Sequence, residues 1–132
     1  MNDLKFKVFD PEYDRLADVI SIDLRAGTVT YFMEVRADSE SGITMEVGDF
    51  LKPLTAVKLL MATGLKDRHG LEIFEGDILK KDNGMKGVVE YDHGQFIAKL
   101  KPAQTVEYEV WNGHVFDILE LAGNRYTDPE LV

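Results

Sequence analysis

One stretch near the middle of the chain, residues 63–79, constrains the possible folds more than any other. It reads TGLKDRHGLEIFEGDIL and sets three glycines, together with Asp67 and Asp77, between short apolar runs. Glycine adopts the positive φ of tight turns, and aspartate stabilises turns by accepting backbone hydrogen bonds. Residues 75–79 therefore predict a tight turn that leads into a β-strand, as at the start of many small SH3-like barrels.

The residues after this stretch predict a series of short antiparallel strands. The pairs Asn83-Gly84 and His93-Gly94 are typical of hairpin turns. Strands are predicted over residues 77–80, 87–91, 95–100, 105–110 and 116–123, with a turn at 112–113 and a short helical turn in the C-terminal tail. About five short strands can curl into a closed barrel, which leaves no exposed sheet edge. We therefore predict a small closed SH3-like β-barrel formed largely by the C-terminal half.

The N-terminal half also reads as β structure. Strands are predicted over residues 4–9, 18–24 and 28–35, and the last two form a hairpin. Residues 38–42 are polar and are predicted to form a mobile loop. Apolar residues recur near helical spacing between 44 and 63, but Pro53 excludes a continuous helix there. A short helix or turn after Pro53 and a strand over 59–61 are predicted instead.

Together these patterns predict one mostly β (α+β) domain over residues 1–132. An N-terminal β region spans about 1–60 and the barrel-like half about 61–132, with one or two short helices.

Composition limits the possible functions and the cellular setting. The 132-residue chain has a net charge of −9 and no cysteine, so it can form no disulfide and offers no thiolate. Its acidity disfavours duplex DNA, whose phosphates it would repel. An acidic DNA-mimic inhibitor is a further alternative, although such proteins carry denser carboxylate runs. No run approaches the ~18 apolar residues of a membrane span, and no signal peptide is evident, so a cytoplasmic location is expected.

Residues with catalytic or metal-binding potential are better explained as turn residues. Asp67, Glu72, Glu75 and Asp77 lie close in sequence, but their spacing fits no calcium loop. Asp67 and Asp77 are predicted to bond the backbone of their turns. The three histidines, at 69, 93 and 114, are too far apart for a typical zinc site and are predicted to lie exposed in turns. No catalytic, cofactor or metal residue is predicted, and the chain is not expected to be an enzyme.

Two surface groups could bind partners. Five lysines of the C-terminal half form a possible nucleic-acid ridge: Lys80, Lys81, Lys86, Lys99 and Lys101. Small barrels that bind single strands combine such a ridge with stacking aromatics, here Tyr91 and Phe96. Interleaved acids balance the lysines, however, so core and rim positions for these aromatics are favoured. Trp111 can anchor a partner or cover the core, and the second reading is preferred.

The central block closely resembles the hallmark of the YopX family of phage and prophage proteins. The resemblance is carried by residues 61–78, by Gly-Val-Val-Glu-Tyr at 87–91 and by residues 123–131. Residues 6–10 match loosely, with Phe9 where a tryptophan is common. It implies a mostly β fold with a small closed barrel and flanking helical pieces. It implies no activity, since none is established for the family.

The leading hypothesis is an uncharacterised phage or prophage accessory protein that is not an enzyme and acts as a protein-binding or regulatory module. Its partner would be an unknown host or phage protein, and its possible interaction face is Tyr91, Phe96 and Trp111. Exposed strand edges also allow a homo-oligomer. Nucleic-acid binding through the Lys80–Lys101 ridge is the alternative from another class.

Overall fold

The structure is a computed structural model that describes residues 5–39, 42–100 and 110–132, with the backbone alone over 35–39 and 42–46. It confirms a mostly β fold with antiparallel sheets and little helix. The chain divides into two compact units, Lys5–Leu59 and Leu60–Val132. This division lies beside the boundary that the sequence suggested between its two halves.

The N-terminal unit is an antiparallel sheet with one buried face. Its four strands lie in the order β4-β3-β2-β1. Alternate residues of the first three strands are buried and form the core of this unit, as the two-residue period of a strand requires: Val8, Ala17, Val29, Tyr31 and Met33. The elements are β1 (Phe6–Asp10), β2 (Arg15–Asp23), β3 (Thr28–Ser39), β4 (Gly42–Pro53) and the 3-10 helix η1 (Leu54–Ala56).

The predicted β2–β3 hairpin and the short helix after Pro53 are confirmed. The loop predicted over residues 38–42 was wrong at both ends, because β3 continues to Ser39 and β4 begins at Gly42. Residues 40–41 lie outside the described residues, and the strand over 43–53 was not predicted. Twelve residue pairs join these two strands, ending at Thr28 and Pro53. Pairing with β3 therefore overrides the near-helical spacing of apolar residues, and Pro53 is tolerated because it ends the strand.

The C-terminal unit contains a paired β5 and β6 and a five-stranded sheet in the order β10-β9-β8-β7-β11. Its buried core comprises Ile73, Leu79, Val89, Ala98, Leu100, Trp111, Phe116 and Leu119. The elements are β5 (Lys58–Lys66), β6 (Glu72–Phe74), β7 (Asp77–Lys80), β8 (Lys86–Asp92), β9 (Gln95–Leu100), β10 (Val110–Asn112), η2 (Gly113–Ile118), β11 (Glu120–Asn124) and η3 (Pro129–Leu131).

No closed barrel is found in the described parts of the chain, where β10 and β11 lie at opposite edges of the five-stranded sheet. The strand predicted over 116–123 begins only at Glu120, because η2 takes up its first half. Phe116 and Leu119 are fully buried, and their three-residue spacing suits a 3-10 helix. The Asn112 side chain caps this helix by accepting a hydrogen bond from the His114 N–H.

The strand predicted over 105–110 lies outside the described residues except for Val110, where β10 begins. The described residues contain three short 3-10 helices, where one or two short helices were expected. Among these residues no helix combines the length and apolar character needed to cross a bilayer.

Candidate functional site

Carboxylates of the central block accept hydrogen bonds from backbone N–H groups. Asp67 is buried, and its Oδ1 accepts hydrogen bonds from the N–H groups of His69 and Leu71, both at 2.9 Å. Its Oδ2 accepts a third from the N–H of Leu121 at 2.9 Å. Burial alone would raise the pKa of Asp67, but these backbone donors outweigh it and hold that pKa below its usual value. The predicted turn-capping role is confirmed, and the bond to β11 was not foreseen.

Asp77 has a similar role beside Gly76. Its Oδ2 accepts a hydrogen bond from the Phe74 N–H at 2.7 Å, and its Oδ1 accepts one from Asn124 Nδ2 at 3.0 Å. Glu75 accepts one from the N–H of Met61 at 3.3 Å. In the described parts of the chain, no three His, Cys, Asp or Glu residues are placed to hold a metal ion. The chemistry of this block is therefore that of turn stabilisation.

The histidines lie where the sequence predicted, on exposed turns and segment ends. The side chains of His69 and His93 are 55% and 91% exposed. His93 has a φ of 49° in the β8–β9 turn, and His114 is exposed at the start of η2.

The strand register divides the candidate binding residues between the two faces of the five-stranded sheet. Lys80 lies opposite Lys86, and Lys99 lies opposite Val88. Because side chains alternate along a strand, these three lysines share one face. Tyr91 lies opposite Phe96, and this pair falls on the other face, which carries the core. Among the described residues, Lys80, Lys86 and Lys99 therefore do not share a face with the aromatic pair, and these residues do not form a basic groove lined by stacking aromatics.

The remaining members of the lysine ridge do not extend it. Lys81 Nζ lies over the Trp111 ring, 5.2 Å from its centroid, on the core face. Lys101 lies outside the described residues. Lys99 Nζ is 3.3 Å from Glu90 Oε2, and Glu90 Oε1 also pairs with Arg125. The ridge in the described chain is thus reduced to Lys80, Lys86 and a partly neutralised Lys99.

The three residues of the predicted interaction face are separated by burial. Trp111 is only 5% exposed and packs in the core, which confirms the preferred prediction that it covers the core. Gly87 lets it pack closely, since a Cβ there would meet the Trp111 ring at 3.3 Å. Within the described residues the indole Nε1–H has no hydrogen-bond partner. Trp111 is therefore not available to a partner at this surface.

Tyr91 and Phe96 form an aromatic pair at the surface. Tyr91 is 53% exposed, and its ring meets the half-buried Phe96 edge to face with centroids 5.1 Å apart. Phe96 also lines an open cleft of about 280 Å³. The other residues that line the cleft are Leu65, Gln95, Asn112, Gly113 and His114. The aromatic pair and this cleft, which we call the Tyr91 face, offer a partly apolar surface with amide and imidazole groups.

The structure also contains a polar cluster in the N-terminal unit that the sequence analysis missed. Asp10 is fully buried and accepts hydrogen bonds from the Tyr31 hydroxyl at 2.6 Å and from Lys52 Nζ at 2.9 and 3.1 Å. It also accepts one from the Glu12 N–H. Burial would raise the pKa of Asp10, but the hydrogen bonds from Tyr31, Lys52 and Glu12 hold it below its usual value.

The pKa values of Tyr31 and Lys52, the side-chain partners of Asp10, are shifted in the opposite direction. Burial and the neighbouring Asp10 raise the pKa of Tyr31. Burial would lower the pKa of Lys52, but its hydrogen bonds to Glu12 and Asp10 raise it. Lys52 also lies over the Tyr13 ring at 5.1 Å. These residues are 42 positions apart at most, and only strand pairing brings them together, which is why no local pattern revealed them.

Comparison with known proteins agrees with this architecture. The family model for the YopX protein matches residues 5–132, nearly the whole chain, which confirms the resemblance. The crystal structure of protein EF1440 from Enterococcus faecalis is similar, with a TM-score of 0.62 and 22% sequence identity over 99% of both chains. At 22% identity, this similarity shows that the two proteins share a fold. No curated protein matches the sequence.

Proposed function

The chain belongs to the YopX family, and on this premise we propose that it is a non-enzymatic phage or prophage accessory protein. It acts in the host cytoplasm by binding a host or phage protein. The Tyr91 face is the contact surface. The observation that carries the proposal is the exposure of Tyr91, half of whose surface is open to solvent beside the cleft.

Aromatic residues concentrate binding energy in protein interfaces because they bury a large area at low entropic cost. Tyr91 is held against Phe96, so little freedom is lost when it is covered. The cleft beside Phe96 would accept an apolar side chain of the partner, while Gln95 and Asn112 offer hydrogen bonds at its rim. This combination of an apolar centre and polar margin is typical of protein interfaces.

Affinity capture from infected or lysogenic cells, followed by calorimetry with the purified partner, tests the proposal. Tyr91→Ser should weaken binding by roughly 30-fold or more, as expected for loss of an interface hot spot. Ile118→Ser is the matched control, since Ile118 is 63% exposed and does not line the cleft. Binding that is equally strong in both variants would contradict the role of the Tyr91 face.

A further inference from the structure

The sequence contains two Asn-Gly pairs, Asn83-Gly84 and Asn112-Gly113, with the same local chemistry. Both asparagines are exposed, and the Oδ1 of each accepts a hydrogen bond from the backbone N–H two residues further on. These bonds, from Met85 and His114, are both 3.0 Å long. Neither the sequence motif nor the side-chain bond distinguishes the two asparagines. A difference in their reactivity would therefore come from the surrounding fold.

An Asn-Gly pair can lose ammonia without an enzyme or a cofactor. The backbone nitrogen of the glycine attacks Cγ of the asparagine, and the side-chain nitrogen leaves as ammonia with the proton of the glycine N–H. Water then opens one of the two C–N bonds of the resulting succinimide, which gives aspartate or isoaspartate. Glycine favours the attack because it has no Cβ to hinder the approach. Backbone freedom at the glycine therefore controls the rate.

Asn83 and Gly84 lie at the exposed tip of the connection between β7 and β8. Gly84 has a φ of +89°, and a Cβ there would meet no atom within 4 Å in the described parts of the chain. The Gly84 N–H donates to the Lys81 carbonyl at 3.0 Å, and this bond has to open before the nitrogen can attack. Exposed hydrogen bonds in loops with few packed neighbours open at little cost in free energy.

The fold holds the second pair much more firmly. Asn112 pairs with Ile97 on β9 and caps η2, which begins at Gly113. Gly113 is half-buried, and a Cβ there would lie 2.8 Å from Leu65 Cδ1. Phe116, one turn further along η2, is fully buried. A movement of the Gly113 nitrogen towards Cγ of Asn112 therefore has to displace the packed start of η2.

We propose that Asn83 is a site of spontaneous deamidation in the folded protein, and that the fold protects Asn112 in the same sequence context. At Asn83 an exposed turn has to open before the glycine nitrogen reaches Cγ. At Asn112 the same motion disturbs elements that pack in the core, and such elements open only at a higher free-energy cost. The succinimide therefore forms at the tip of the β7–β8 connection.

Deamidation at Asn83 changes both the charge and the backbone of this connection. It adds one negative charge to the net charge of −9. The new carboxylate lies in the loop that joins Lys80 to Lys86, two lysines that lie opposite each other across β7 and β8. Isoaspartate also lengthens the loop by one methylene group, so the side-chain bond to the Met85 N–H is lost. The modified protein is more acidic and has a looser β7–β8 connection.

Peptide mass spectrometry of the full chain, aged in a mildly alkaline buffer, tests the proposal. Asn83 should convert at least about 10-fold faster than Asn112, which corresponds to a difference of about 1.4 kcal/mol in the free energy of opening. In urea that unfolds the chain, the two rates should agree within about threefold, because the protecting contacts are gone. Asn83→Gln is the matched control, and it should end conversion at this position while the rate at Asn112 stays unchanged.

Three results would overturn the proposal. The first is equal conversion of the two asparagines in the native chain, and the second is faster conversion of Asn112. The third is a ratio of rates that persists in urea, because the difference would then belong to the sequence rather than to the fold. These measurements require no binding partner, so their outcome is independent of the function proposed for the Tyr91 face.

Discussion

At the scale of single residues, Asp10 is the common hydrogen-bond acceptor of the polar cluster in the N-terminal unit. Its carboxylate is fully buried, yet four donor contacts from Tyr31, Lys52 and the Glu12 backbone satisfy it. A buried charge is tolerated only when it is paired and hydrogen-bonded. The sequence shows an aspartate before Pro11 and predicts a strand end there. Its long-range partners lie on β3 and β4, and only the assembly of these strands with β2 and β1 into one sheet brings them to Asp10.

We predict that Asp10→Asn lowers the free energy of unfolding by about 2–3 kcal/mol, because the charge-assisted hydrogen bonds are lost. The pKa of Asp10 is lower in the folded than in the unfolded chain. Its stabilisation is therefore complete above about pH 5 and is lost as the pH falls through the folded-state pKa. Urea unfolding from pH 7 to pH 3 should show a weaker pH dependence in Asp10→Asn. Asp18→Asn, an exposed control, should change the free energy by less than about 0.5 kcal/mol.

Glycine is required at position 76 because φ is positive there and because the Tyr126 ring leaves no room for a Cβ. It has a φ of +87°, and a Cβ there would lie 2.9 Å from Tyr126 Cε2. Gly84 has a φ of +89° with open space around it. We predict that Gly84→Ala costs about 1 kcal/mol of stability and Gly76→Ala at least about 1 kcal/mol more. Thermal unfolding measures both, and equal losses would show that the Tyr126 contact is relieved without cost.

At the scale of elements, local patterns identified most strands where turn residues bound them. Asn83-Gly84 and His93-Gly94 correctly separate β7, β8 and β9. The errors occur where a neighbour decides the structure. Residues 42–53 become a strand by pairing with β3, and residues 113–118 become a 3-10 helix because Phe116 fills the core. Both outcomes depend on contacts that no window of sequence contains.

Asp67 links two elements that lie far apart in sequence, the turn before β6 and strand β11. We predict that Asp67→Asn lowers the free energy of unfolding by about 2 kcal/mol, since an amide replaces one acceptor oxygen by a donor facing an N–H group. Hydrogen exchange should be faster at Leu121 and Leu71. Asp82→Asn is the control, because the Asp82 side chain is 88% exposed and pairs only with surface Arg68 among the described contacts. It should cost less than about 1 kcal/mol.

At the scale of the whole molecule, charge argues against nucleic acid as a partner. The net charge is −9, and the lysines that share a face are separated from the Tyr91–Phe96 pair by the sheet itself. A chain of this charge repels a phosphate backbone at long range. The protein binding proposed for the Tyr91 face does not depend on such attraction.

We predict no measurable binding of single-stranded oligonucleotides at about 150 mM salt. Fluorescence anisotropy with labelled oligonucleotides measures this. Affinity that falls steeply with salt, and that disappears in Lys80→Glu/Lys86→Glu/Lys99→Glu but persists in Lys58→Glu, would instead establish the lysine ridge as a binding surface.

The sequence by itself determined that the chain is mostly β, where most of its turns lie, that Asp67 and Asp77 serve those turns, and its family. These properties depend on residues close together in the chain, such as glycines with positive φ and carboxylates beside free backbone N–H groups. Only the tertiary structure decided that β10 and β11 lie at opposite edges of the five-stranded sheet, that Trp111 is buried, and that Asp10 meets Tyr31 and Lys52. Strand order and register bring such residues together over long sequence separations, so face, burial and charge partners follow from pairing alone.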